Sequence, residues 1–287
     1  MNKKSIGQRI FHFPLTKIII GIIVVAGIYG ISQLFFSQLL KSISISNEIN
    51  NLVVGIVSSV LSTLSYILLF KFYEKRKITE LSTISIGSFL ANGILLGFVL
   101  QSLTILVIYL GGGFTIISIN SILFIIPSLT MAFTSAIFEE ILFRGIIFRI
   151  IEEKLGSYLA LIVSALIFGL LHLANPNSSL INALGLAIQA GLLLASAYIY
   201  SRSLWFPIAI HFAWNFTQAG IFGATVSGNS LSKSLLTTKI QGVEWLSGGR
   251  FGPEGSIQAT IFCLIATIVL LILSIKQKKI INPYWEK

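Results

Sequence analysis

The sequence predicts an all-α fold, a polytopic membrane bundle of about eight transmembrane helices. Three observations predict it. Hydrophobic residues make up 55% of the chain and charged residues only 10%, against about a quarter charged in soluble domains, so lipid is the main solvent. Apolar stretches long enough to cross a bilayer, about 20 residues, recur along the chain. Lys and Arg collect in short clusters between those stretches, as they do in loops beside anionic lipid. That placement explains the net charge of +10 without nucleic acid as a partner, because no basic stripe is interleaved with aromatics.

The elements follow in order. The first apolar run, about 17–36, comes after a basic N-terminus (Lys3, Lys4, Arg9). It has no small-residue cleavage site, so it reads as a retained span and not a signal peptide. Runs at 52–70 and 88–110 complete an N-terminal part, 1–115, that carries no chemical signature. Runs at 118–143, 157–174, 179–200 and 203–222 make up a core over 116–222. The first of these is expected to continue as helix to about 152, past the membrane surface. The segment 223–255 is rich in Gly and Ser and holds Trp245, Gly248, Gly249, Gly252 and Pro253. It reads as a surface loop long enough to act as a lid or re-entrant piece. A last run at 256–275 leads into a basic tail ending at residue 287.

Charge placement orients the bundle. With the N-terminus inside, the inner segments hold Lys3, Lys4, Arg9, Lys17, Lys71, Lys75, Arg76, Lys77, Arg144, Arg149, Lys154, Arg202, Lys276, Lys278, Lys279 and Lys287. The outer ones hold only Lys41, Lys233, Lys239 and Arg250. The positive-inside rule then places both termini in the cytoplasm and the 223–255 loop outside, with the cell membrane as location.

Most spans contain no ionisable group, and the exceptions are concentrated. Glu139, Glu140 and Arg144 lie near the end of the fourth run, His172 in the fifth and His211 in the seventh. A charge in hydrocarbon costs about 3 kcal/mol and marks function by default; the structural alternative is an ion-pair network that holds the bundle together. Glu140 and Arg144 are i,i+4 in the favourable order. Glu139 points about 100° away and lacks a local partner. The midpoint between Glu139 and His172 falls at Leu155–Gly156, just after Glu152-Glu153-Lys154. A hairpin reversing there brings Glu139 and His172 to the same depth. Phe168 lies one turn before His172, where packing is its simplest role. His211 and Asn215 are again i,i+4, and both can donate hydrogen bonds to a developing oxyanion.

A carboxylate base, two histidines and an amide are the groups needed for attack of water on a carbonyl. His172, His211 and Glu139 could equally hold zinc or another divalent metal with an open position. Other peptidase chemistries are less open. All ten acidic residues are glutamate, so an aspartyl pair is excluded, and no H-E-x-x-H motif is present. Gly30-Ile31-Ser32 and Gly228-Asn229-Ser230 fit a weak G-x-S pattern. The single cysteine, Cys263, reads as a buried structural thiol.

Three ordered pieces, Glu139-Glu140-Ile-Leu-Phe-Arg144, Phe168-Gly-Leu-Leu-His172 and His211-Phe-Ala-Trp-Asn215, resemble the motifs of the CPBP (CAAX protease and bacteriocin-processing) family of intramembrane proteases. The resemblance covers about 125–220, and Gly248–Gly255 also looks like a loop of bacterial members. It implies a helical bundle with a cavity reaching the cytoplasmic side. Glu139 and His172 would activate water, and His211 and Asn215 would serve as oxyanion donors. Glu140 would join them in the catalytic set, with Arg144 and Phe168 in support. The family includes metalloprotease and glutamate-type members, so the implied cofactor is zinc or none. The expected partners are the bilayer and a membrane-associated or lipidated peptide. A non-catalytic scaffold, immunity or regulatory protein would use the same polar site for binding. A transporter lacks support, because no inverted repeat or pair of broken helices is visible.

Overall fold

The computed structural model describes residues 11–41, 46–231 and 233–286. Lys3, Lys4, Arg9 and Lys287, counted in the charge asymmetry, lie outside them. The long helices are α1 (Pro14–Leu40), α2 (Asn47–Tyr73) and α3 (Ile86–Leu110). Pro14 opens α1 where a missing N–H costs nothing. Ser46 caps α2 by accepting the Ile49 N–H. After strand β1 (Phe114–Ile119) come α4 (Ile126–Glu140), a π-helical stretch Ile141–Phe148, and α5 (Arg149–Leu171). Then follow α6 (Leu180–Leu186), a π-helical stretch Ala187–Leu192, α7 (Leu193–Ser201), α8 (Trp205–Asn215) and a π-helical stretch Phe216–Ile221. Strand β2 (Leu236–Ile240), the short α9 (Glu244–Ser247) and α10 (Ile257–Lys276) complete the order.

Among the described residues, six helical stretches are long and apolar enough to cross a membrane: Pro14–Leu40, Asn47–Tyr73, Ile86–Leu110, Ile122–Ala174, Leu180–Ser201 and Ile257–Lys276. The protein is a multi-pass membrane helical bundle. The difference from the eight spans expected lies in two places. The stretch Ile122–Ala174 is 53 residues long and covers two expected spans, because helix continues to the chain reversal. It breaks at Gly156 (φ 75°, ψ 170°), the predicted pivot. A side chain there would meet the Ile281 carbonyl at 2.8 Å. The stretch 205–221 is the other, too short to count as a span by length. The fourth span also starts later than expected. Residues 114–119 pair antiparallel with β2 instead, since Phe-Thr-Ile-Ile-Ser-Ile is β-branched and suits a strand.

The outer surface is apolar: Ile23, Ile31, Leu34, Leu95 and Leu110 are each more than 60% exposed, as lipid-facing residues are. Helices meet through small residues. A Cβ on Gly97 of α3 would lie 2.4 Å from the Ile210 carbonyl of α8, so α3 sits backbone to backbone on the helix that carries His211.

Two ends are distinguishable. At one, Glu74 binds Lys17, Arg76 and Arg149, and Glu152 binds Arg202. At the other, Lys233 binds Glu48, Gln241 N donates to the Gly113 carbonyl, and Asn175 Nδ2 donates to the Ser227 carbonyl. The segments expected on each side of the membrane therefore share an end.

Candidate active site

Glu139 stands in the last turn of α4, just before the π-helical stretch. A π-segment shifts side-chain register and is frequent at functional sites. His172 follows the end of α5, and His211 and Asn215 lie one turn apart on α8. All four line one cavity of about 310 Å³. The hairpin at Gly156 thus delivers Glu139 and His172 to one place, as the matched spacing predicts.

The two glutamates differ. Glu139 lines the cavity and its Oε2 is buried without a hydrogen-bond partner. Glu140 is fully buried and does not line the cavity. Its Oε1 accepts from Arg144 Nη1 and from His211 Nδ1, both at 2.9 Å. Arg144 also donates to the carbonyls of Ala190 and Gly191, at 2.7 and 3.1 Å, and lies 5.0 Å from the Phe168 ring centroid. Glu140, expected in the catalytic set, stands behind His211 and orients it.

Hydrogen bonding constrains both imidazoles. His172 Nδ1 lies 2.8 Å from the Phe168 carbonyl, which only accepts. Nδ1 therefore carries hydrogen, and Nε2 of neutral His172 is an acceptor, suited to bind water. His211 Nδ1 must donate to ionised Glu140 in the same way. Its Nε2 then donates only when the ring is an imidazolium, the form that the Glu140 carboxylate complements. Asn215 Nδ2 contacts Ser135 Oγ at 3.3 Å and keeps a second N–H. The Phe168 ring packs against His172, tilted by 33° with 4.5 Å between centroids, and its carbonyl sets the tautomer.

The structure adds Ser135, Gln189, Trp214 and Glu254 to the cavity wall. Glu254 comes from the 223–255 loop and is 3% exposed. Burial pushes its carboxyl up to about 7, against hydrogen bonds from Ser227 and Trp214. The only sequence signal was its setting, Gly252-Pro253-Glu254-Gly255 in a Gly- and Ser-rich loop. Cys263 is buried as expected and lines the cavity. Ser32 and Ser230 do not line it.

Among the described residues, no three His, Cys, Asp or Glu side chains gather closely enough to hold a metal ion. Glu139, His172 and His211, the residues that would hold a metal, line the same cavity.

Residues 121–217 match the family model described as type II CAAX prenyl endopeptidase Rce1-like. The matched segment is similar to that family. It contains every expected site residue from Glu139 to Asn215, and the resemblance read from the three motifs is borne out over it. A protein of Bacillus subtilis (strain 168), described as "Putative membrane peptidase YdiL", is 35% identical over 81 residues. That match covers 28% of this chain and 30% of the relative. No solved structure matches.

Proposed function

We propose that the protein is an intramembrane endopeptidase that hydrolyses a peptide bond in a membrane-associated or lipidated peptide. The observation that carries this reading is the meeting of Glu139, His172, His211 and Asn215 in one cavity, inside the Rce1-like segment. A water held between Glu139 and the Nε2 acceptor of His172 attacks the scissile carbonyl, and Glu139 takes its proton. The oxygen becoming negative receives the Nε2–H of the His211 imidazolium and an N–H of Asn215. Collapse breaks the C–N bond, and the proton on Glu139 passes to the leaving amine. Products are a carboxylic acid and an amine.

Glu140 and Arg144 take no proton in this scheme; they hold His211. The competing reading is a scaffold that binds a peptide without cutting it. Glu139→Gln keeps shape and removes the base. Purified variant in detergent should lose cleavage by about 10²-fold or more while keeping its melting temperature and peptide binding. Cleavage at the wild-type rate would exclude Glu139 as the base; absence of cleavage in the wild type itself would favour the scaffold.

A further inference from the structure

The cavity has a second polar wall that bond cleavage does not use. The glutamates of the described residues fall into groups. Glu48, Glu74, Glu80, Glu140, Glu152 and Glu153 each lie within 3.0 Å of a Lys or Arg nitrogen. Glu244 and Glu286 are exposed. Glu139 and Glu254 remain, neither in an ion pair with a Lys or Arg of the described residues, and both line the same cavity. Among the described residues, no Lys or Arg lines it. Its titratable nitrogens belong to His172 and His211, and each commits Nδ1 to another acceptor.

Gln189 supplies an independent observation. It is 3% exposed and lines the cavity. Its Nε2 donates to the Glu254 carbonyl and to Thr260 Oγ1, both at 2.7 Å, which leaves Oε1 buried without a donor. Glu254 is held at two points: Ser227 N–H donates to its carboxyl group, and Gln189 donates to its backbone carbonyl. Ionising a buried carboxyl group that no Lys or Arg pairs is costly, and so is an orphaned amide oxygen. Both are relieved by one group rich in N–H donors and positively charged.

We propose that Glu254 and Gln189 form a subsite for an ammonium or guanidinium group, so that the substrate is an apolar peptide segment with a Lys, an Arg or a free amino terminus near the scissile bond. The remaining wall, Met131, Leu186, Leu193, Leu194, Ile210 and Val226, is apolar and takes the flanking side chains. This substrate class rests on the peptidase reading, but the subsite can be tested without turnover.

The test is binding to the full chain in nanodiscs, read as a rise in melting temperature. The probes are N-acetyl-Leu-Lys-Leu-amide, its norleucine isostere and its glutamate analogue. The lysine peptide should act at a concentration at least about tenfold lower than the norleucine peptide, and the glutamate peptide should be the weakest. Glu254→Gln should erase the lysine preference, whereas Glu139→Gln should retain it. Equal binding of lysine and norleucine peptides by the wild type overturns the proposal without any variant. A Glu254→Gln protein that keeps the preference overturns it too. Cleavage is scored in parallel: lysine-selective binding without cleavage leaves the subsite standing and removes the peptidase reading.

Discussion

At the residue scale, adjacency in sequence separates Glu139 and Glu140 in role. About 100° of rotation sends one carboxylate to the cavity and the other to Arg144 and His211. Glu140→Gln leaves a buried Arg144 without its charge partner, and breaking such a pair costs about 3–5 kcal/mol. The double change Glu140→Gln with Arg144→Gln should recover part of that loss. It should not restore cleavage, because a neutral amide no longer complements the His211 imidazolium; a deficit of roughly 10² is expected, as for loss of an oxyanion donor. Melting temperature and cleavage rate, measured together on the single and double variants, check this. A double variant that is both stable and fully active would show that Glu140 acts only as the partner of Arg144.

At the element scale, the site depends on close helix contacts. Gly97 lets α3 touch the backbone of α8 at Ile210, next to His211. Gly97→Ala should push α8 outward and cost about 1–3 kcal/mol by overpacking, with lower cleavage. Gly27→Ala is the control, since a Cβ on Gly27 of α1 meets nothing within 4 Å; its melting temperature should hold or rise slightly. Equal effects at both positions would refute the packing argument. These elements were unequally legible in sequence. The Gly156 reversal could be read, because a polar run stands midway between two intramembrane ionisable groups. The strand 114–119 could not, because its β-branched apolar residues merge with the span that follows, and its partner lies more than 100 residues on. The three motifs located Glu139, His172, His211 and Asn215 by local spacing. Glu254 escaped, since a loop folding back over a cavity leaves no periodicity, and Gln189 escaped, since a neutral amide within an apolar helical run carries no charge to mark it.

At the scale of the whole molecule, the cavity mouth and most of the basic residues lie at opposite ends. Asn229 and Leu231 line the cavity and are exposed, so the mouth is at the end that carries the 223–255 loop. Lys17, Lys71, Lys75, Arg76, Lys77, Lys276, Lys278 and Lys279 belong to segments at the other end. Two sequence expectations therefore conflict: cytoplasmic termini, drawn from charge, and a cavity reaching the cytoplasmic side, drawn from family resemblance. The positive-inside expectation, with the basic end in the cytoplasm, would turn the mouth outward. The substrate would then be a peptide already across the membrane or in its outer leaflet. Ser230 is exposed beside the mouth and Lys77 is exposed at the basic end. In a Cys263→Ala background, a membrane-impermeant maleimide should label Ser230→Cys on intact cells and Lys77→Cys only after permeabilisation. Bound lysine peptide should slow the first reaction and leave the second unchanged. The reverse labelling pattern would turn the bundle over, place the mouth in the cytoplasm and make the substrate a cytoplasmic peptide.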